Sequence, residues 1–344
     1  MNQAKATEKA QEQESPFCRI VANVSELSKD EWLEQRKNGI GGSDAGAILG
    51  LSKYKSSLGV YMEKVGLSDS SADNEATRFG SDLEPYIRDK FPVRFQEAEG
   101  IEIKVSEYPF MLQSKAHPFM LANLDGIVKL DVNMVLPNGA TIGGVGGLEI
   151  KTAGDFMVKY WAEDELPDVY FAQVQHYMAV TGFPFFIVPV LLQRRIMWRF
   201  VLRNEEFIEK LIETENTFWE ENVLQKVPPF TIGNEDEEDC LLQLYQSSTE
   251  EILDLSFMVD EVARFQEVIS QIKQLDEEKK YLGNKIRAEL GNAKYAMAED
   301  HKITWSKFDQ NRFNSKRLKE EQPDLYKQYI KTIPSGRLSV KGGK

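Results

Sequence analysis

What this chain has little of narrows its chemistry first. Only two cysteines, Cys18 and Cys240, occur among 344 residues. They lie far apart in sequence, so neither a disulfide framework nor a four-cysteine zinc or iron–sulfur site can be built within one copy. No apolar run approaches the ~20 residues of a membrane span, and the opening MNQAKATEKAQEQES lacks the apolar stretch of a secretory leader. The chain therefore reads as cytoplasmic, with no membrane partner. Positive charge is also short, with 42 lysines and arginines against 55 aspartates and glutamates, a net of −13. That balance argues against a general polyanion binder, whose affinity comes from cations releasing counterions from phosphates. Basic groups concentrated in one channel remain compatible with it.

At this length one sizeable core and a smaller second unit are expected. Residues 1–27 are polar and aperiodic and read as a disordered tail. Ser28 and Glu31 form a capping-box signature for a helix carrying Trp32, Leu33 and Arg36, stopped at Gly39. A glycine turn follows, Gly39-Ile40-Gly41-Gly42, with Ser43 placed to cap the segment from Asp44 to Leu49. Helical stretches are expected over 57–65 and around Glu84, separated by the polar loop LSDSSADNEA. Three β-rich segments come next, IEIKVSEYPFML, PFMLANLDGIVKL and ATIGGVGGLEIKTA, the last two joined by a turn at Pro137-Asn138-Gly139. Helical patterning returns over 155–161 and 168–180, before two apolar strands, FFIVPVLLQ and IMWRFVLR. This order predicts an α/β layer fold with a mixed central sheet flanked by helices over 28–232. Beyond Phe230 the acidic run GNEDEEDC marks a linker over 233–247. Residues 248–344 then form a helical arm, with a long helix from Leu253 to Leu290, a short hairpin within YAMAEDHKITWSKFD and a final helix over 316–330.

The chemistry concentrates in Asp125 and in Glu149-Ile150-Lys151, 24 residues further on across an expected hairpin. Two carboxylates on adjacent strand ends can hold Mg²⁺ or Mn²⁺ with oxygen ligands, while an ammonium beside them positions or helps deprotonate an attacking water. Acidic-x-Lys triplets are common here: Glu102-Lys104, Glu277-Lys279, Glu278-Lys280 and Asp300-Lys302 share the pattern and read as solvated surface pairs. Leu148 and Ile150 alternate with Glu149 and Lys151, which puts both charges on one face of a strand. Gln173 and Tyr177, four apart, share a helix face from which both can reach a phosphate or the lysine. Glu84 offers a third carboxylate. Arg36 and Ser43 flank the glycine turn, where a guanidinium fork and a helix N-terminus suit a terminal phosphate.

Taken in order, RKNGIGGSDAGAILGLSKYKSSLGVYMEKVG, FGSDLEP, LDG, LEIK and AQVQHYMAVTG resemble the YqaJ-type viral recombinases, relatives of phage lambda exonuclease within the PD-(D/E)XK nuclease superfamily. The resemblance spans roughly Trp32 to Phe200, and KITWSKFDQNRFNSKRLKEEQPDLYKQY also resembles the extended members of the group. It implies a restriction-endonuclease-like core in which Asp125, Glu149 and the Ile150 carbonyl bind metal, Glu84 assists through a second metal, and Lys151 acts on the nucleophilic water. It further implies that Gln173 and Tyr177 support the site and that Arg36 and Ser43 hold the 5′-phosphate of a DNA end. The implied activity is 5′-to-3′ digestion of one strand of linear duplex DNA, leaving 3′ tails for a single-strand annealing protein. A ring-shaped homotrimer is implied as well. The chain departs from lambda exonuclease in its long C-terminal arm and in Asn123, which stands where that enzyme has a serine.

Overall fold

The computed structural model describes residues 15–68, 75–154, 157, 161, 166–331 and 335–342. The chain divides into two compact units, Met1–Leu244 and Tyr245–Lys344. The first begins with β1 (Cys18–Asn23), which pairs antiparallel with a later strand through Cys18↔Ser114 and Asn23↔Phe110. The tail expected over 1–27 is therefore ordered from residue 15, because CRIVAN finds an open strand edge. Residues 1–14 lie outside the described residues.

Helix α1 (Lys29–Arg36) starts on the expected capping box: Ser28 Oγ accepts from the Glu31 N–H at 3.3 Å and Glu31 Oε2 from the Ser28 N–H at 2.8 Å. The two-residue β2 (Ile40–Gly41) leads into α2 (Gly42–Ile48). That helix is capped at Gly41, and Asp44 Oδ2 accepts the Gly41 N–H at 3.1 Å, so Ser43 sits inside the first turn instead of capping it. Helices α3 (Ser57–Lys64) and α4 (Glu75–Glu99) follow.

The β-rich segments divide between two sheets, where the sequence pattern suggests one. IEIKVSEYPFML splits into β3 (Ile103–Ser106) and β4 (Phe110–Ser114), and PFMLANLDGIVKL into β5 (Met120–Asn123) and β6 (Gly126–Val135). Strands β4 and β5 join β1 and β2 in a four-stranded sheet of order β1-β4-β5-β2. Strands β3 and β6 enter a larger sheet with β7 (Thr141–Leu148), β8 (Lys151–Ala153), β9 (Phe185–Leu192) and β10 (Arg195–Leu202). Its order is β10-β9-β7-β6-β3, with β8 continuing alongside β9; β9 runs parallel to β7 and β8 and the other pairs are antiparallel. The β6–β7 turn closes at Gly139, whose N–H reaches the Leu136 carbonyl at 2.9 Å and whose φ of +82° suits glycine.

Two apolar layers cover this larger sheet. Phe91 and Phe95 of α4 pack edge-on and tilted against Trp198 at 5.7 and 5.5 Å. On the other side α5 (Asp168–Thr181) buries Val174, Tyr177 and Met178 in one cluster with Phe186 and Val188. The helix expected over 155–161 lies largely outside the described residues. Helix α6 (Glu205–Thr217) passes into a π-helical turn ending at Leu224.

Residues 233–244, expected as linker, instead belong to the first unit and include α7 (Glu237–Leu244). Their carboxylates serve backbone N–H groups. Glu237 accepts from Ile232, Gly233 and Asn234 at 2.7–3.2 Å, and Asp236 Oδ2 accepts from the Ser56 N–H and hydroxyl at 2.9 and 3.0 Å. Two carboxylates of an acidic run that looks like a solvated spacer are thus caps, while Glu235, Glu238 and Asp239 stay exposed.

The second unit contains α8 (Val259–Leu290), 32 residues long, then the hairpin β11 (Tyr295–Ala298) and β12 (His301–Thr304). The single final helix expected over 316–330 is two, α9 (Ser315–Glu321) and α10 (Pro323–Tyr329). Pro323 excludes the preceding residue from the helical region, and Gln322 sits at φ −139°. Among the described residues no helix is long and apolar enough to cross a membrane.

Candidate active site

Asp125 lies where the chain leaves one sheet for the other, between the end of β5 and the start of β6. The β6–β7 register pairs Gly126 with Leu148, which sets Asp125 opposite Glu149 just past the end of β7. Glu149 donates its N–H to the Ile187 carbonyl at 3.2 Å, but Pro189 has no N–H to return, and pairing lapses until Lys151 meets Val190. The acidic residue and Ile150 occupy that lapse. The Ile150 N–H turns to Asp125 Oδ2 at 2.6 Å, fixing the carboxylate to the neighbouring strand.

Around Glu149 the polar groups interlock. Its Oε1 accepts from Lys151 Nζ and from Gln173 Nε2, each at 2.6 Å; Gln173 Oε1 accepts from Lys151 at 3.0 Å, and Gln173 Nε2 also reaches the Tyr177 hydroxyl at 3.1 Å. The Lys151 ammonium lies 4.8 Å over the Tyr170 ring. Glu149 Oε2, by contrast, is buried with no hydrogen-bond partner among the described residues. A Cβ on Gly42 would stand 2.4 Å from the Tyr177 ring, so the glycine turn makes room for that tyrosine.

Burial, then the Asp125 charge, pushes the Glu149 carboxyl up to about 8. Burial and Asp125 likewise push Glu84 up to about 7, and burial raises Asp125 against the pull of Lys151. For Lys151 burial opposes the charge, but Glu149 and Asp125 outweigh it and its pKa rises. Three carboxylates, Glu84, Asp125 and Glu149, thus face two cations, Lys151 and Arg88. Glu84 borders a 300 Å³ cavity with Asp125 and pairs with Arg88. Among the described residues no three carboxylate, imidazole or thiol groups gather tightly enough to ligate one ion. The carboxylate oxygens of Asp125 and Glu149 are of the type that could hold a hard cation, and Glu149 Oε2 is not engaged by any described residue.

A second, 180 Å³ cavity joins Asp125, Glu149, Gln173 and Tyr177 to Arg36, Ser43 and Trp32. Arg36 donates to Ser43 Oγ at 2.9 Å and lies 4.9 Å over the Trp32 ring. Behind it Asp44, fully buried, meets Lys64 at 2.8 Å, Lys55 at 3.2 Å and Arg36 at 3.4 Å. Burial works against its charge, yet Lys64, Lys55 and Arg36 hold its pKa well below the usual carboxylate range. With Glu63 on Lys55 at 2.7 Å, three cations face two carboxylates and leave one positive charge in excess.

Sequence reading misses Asp44, Lys55 and Lys64. The available signal was Lys64 two residues after the apolar run Val60-Tyr61-Met62, on a helix whose other buried residues are apolar or glycine. It also misses His176 and Glu215, both fully buried. His176 Nδ1 meets the Glu215 carboxylate at 2.8 Å and Nε2 the Leu121 carbonyl at 2.9 Å, tying α5, which carries Gln173 and Tyr177, to β5, which leads to Asp125. The surface triplets remain surface: Glu102 is exposed, and Lys104 pairs with Asp131 across the strands.

The uncharacterized protein YqaJ of Bacillus subtilis is 30% identical over 333 residues, covering 95% of this chain and 98% of its own. Among solved structures, an alkaline exonuclease from Laribacter hongkongensis aligns with a TM-score of 0.45 at 19% identity, over 58% of this chain and 94% of that one. A phage-related exonuclease from Haemophilus somnus aligns with a TM-score of 0.37 at 12% identity, over 57% and 99%. Residues 31–184 match the YqaJ-like viral recombinase domain, a span that holds Arg36, Ser43, Glu84, Asp125, Glu149, Lys151, Gln173 and Tyr177. With that domain match and the near full-length relative, the chain belongs to the YqaJ-like viral recombinase family.

Proposed function

We propose that the chain is a metal-dependent DNA exonuclease that digests one strand of linear duplex DNA from the 5′ end, leaving a 3′ overhang for a single-strand annealing protein. The observation that carries this reading is the buried Glu149 with one oxygen unpartnered, opposite Asp125 and beside Lys151. Asp125, Glu149 and the Ile150 carbonyl, with Glu84 beyond Asp125, would hold Mg²⁺ or Mn²⁺, which supplies positive charge at the scissile phosphate and acidifies water. Lys151, held by Glu149, Gln173 and Tyr170, presents an ammonium to the attacking water or a phosphate oxygen. Gln173 and Tyr177 keep Glu149 and Lys151 in place. Arg36 and Ser43 receive the terminal 5′-phosphate, supported by the excess positive charge behind them. Membership in a family of viral recombinases supports DNA as the substrate. By resemblance to lambda exonuclease we propose a ring-shaped homotrimer acting in the cytoplasm.

The test is incubation with linear and covalently closed circular duplex DNA, with Mg²⁺ and with EDTA. Loss of linear DNA in Mg²⁺ alone, with a 5′ label released before a 3′ label, is expected. Nicking of circles would make the protein an endonuclease, and intact DNA in every lane would make it a DNA-end-binding protein.

A further inference from the structure

Charge is divided unevenly along this chain. Residues 291–344 hold twelve lysines and arginines against six aspartates and glutamates, a net of +6, whereas residues 1–290 carry −19. The basic stretch also carries exposed aromatic rings: Tyr295 is 54% exposed, Phe308 78%, Phe313 77% and Tyr329 80%. Single exposed apolar residues are ordinary, but four rings within 35 residues of a basic segment are a pattern.

The local structure interleaves the two. The β11–β12 register pairs Tyr295 with Thr304 and Met297 with Lys302, so these four share one face. Lys302 and Lys294 lie 4.9 and 5.3 Å from the Tyr295 ring centre, and Lys307 lies 4.2 Å from that of Trp305. Phe308 and Phe313 bracket Arg312 in an irregular stretch that leads to α9. There Lys319 lies 5.8 Å from the ring of Tyr326 on α10. Ala296 and Ile303 on the opposite face are half-buried, whereas the Tyr295, Met297, Lys302 and Thr304 face is exposed; a two-stranded hairpin is marginal by itself, which fits an exposed face completed by a ligand.

We propose that residues 294–331 form a binding surface for single-stranded DNA, with exposed rings stacking on bases while lysines and arginines meet phosphates. Rings alternating with cations match a polymer that alternates planar bases with anions. An acidic peptide would satisfy the lysines and leave the rings unused, and a duplex hides its base faces. The choice of DNA over other single-stranded nucleic acid rests on the nuclease reading above.

The experiment measures fluorescence anisotropy of a fluorescein-labelled oligothymidine with the full-length chain in EDTA, where cleavage plays no part. Combined Phe308→Ala, Phe313→Ala and Tyr329→Ala substitutions should weaken oligothymidine binding at least ~10-fold, since each stacked base contributes measurably, and leave blunt duplex binding within about threefold. Tryptophan at the same three positions should preserve binding. Lys302→Gln, Arg312→Gln and Lys319→Gln together should lower the slope of log affinity against log salt by about 2, at ~0.7 per phosphate contact. Unchanged oligothymidine affinity in a folded alanine variant overturns the proposal and leaves the surface to a protein partner. Equal losses on duplex and oligothymidine overturn it as well. If the alanine variant fails to fold, loss of binding in the tryptophan variant or an unchanged salt slope in the glutamine variant overturns it. Failure of the nuclease reading would appear separately, as duplex surviving in Mg²⁺ while oligothymidine binding persists.

Discussion

Asp44 and Glu149 are both buried carboxylates in the first unit, and their environments drive them in opposite directions. Asp44 has Lys64, Lys55 and Arg36 within 3.4 Å and is held well below the usual range. Glu149 shares a single lysine with Asp125 and is pushed up to about 8. Burial penalises the charged form of each; what differs is how many cations offset it. The charge of Asp44 is compensated within the fold, which suits a scaffold role, while Glu149 is left short of positive charge, which is what the metal reading proposed above requires.

The sharpest break in that comparison is Glu149→Gln. Metal-dependent cleavage should fall by ~10³-fold or more, because metal and charge positioning contribute several kcal/mol of barrier lowering. Metal-free stability should move the other way. With an ordinary value of 4.5 and a folded value of about 8, the unfolded chain releases its proton first as pH rises. Wild-type stability is then fully present below 4.5 and is lost as pH climbs towards about 8. The loss is on the order of a few kcal/mol. Thermal melts in EDTA at several pH values should show this slope in the wild type and a flatter one in the variant. A variant that cleaves at the wild-type rate would remove Glu149 from the site.

Asp44→Asn tests the scaffold side. Losing the anion shared by Lys64, Lys55 and Arg36 leaves buried charge unmatched, with Glu63 answering only Lys55, and should cost about 3–5 kcal/mol in urea unfolding. Because the folded pKa lies below 3.8, this contribution is present above 3.8 and is lost as pH falls through the folded value. Unchanged stability would mean that the lysines relax into solvent, and the contrast with Glu149 would lose its basis.

The smallest effect is expected at Arg36, which touches both Asp44 and the cavity. Arg36→Ala removes a charge-assisted contact worth about 1.5–3 kcal/mol, or roughly ten- to hundredfold in use of 5′-phosphorylated ends. Initial rates on matched duplexes with 5′-phosphate or 5′-hydroxyl ends measure it. Equal wild-type rates on both would leave Arg36 and Ser43 as parts of the turn.

Local pattern was enough to read some elements. The Ser28–Glu31 capping box, the Gly139 turn and the four-residue spacing of Gln173 and Tyr177 each depend on neighbours a few residues away, and each is present. The linker was misread because acidic side chains look alike in sequence whether they face water or cap N–H groups brought from residue 56. Two β-rich segments were read as continuous because apolar residues run through both crossings; Pro109 and the Asp125-Gly126 pair mark breaks there, but neither says that the chain changes sheet.

By itself, then, the amino-acid sequence determined the Ser28 helix start and the Gly139 turn, the residue types of a carboxylate–lysine centre and the ordered motifs of a family. These are set by periodicity and short-range hydrogen bonding. The tertiary structure alone decided that Asp125 stands opposite Glu149, that one Glu149 oxygen is left without a partner, and that Asp44 has three cations where Glu149 has one. Those outcomes depend on strand register, on a proline two residues beyond the Glu149 contact, and on burial. All three arise only when segments distant in sequence are packed together and water is excluded between them.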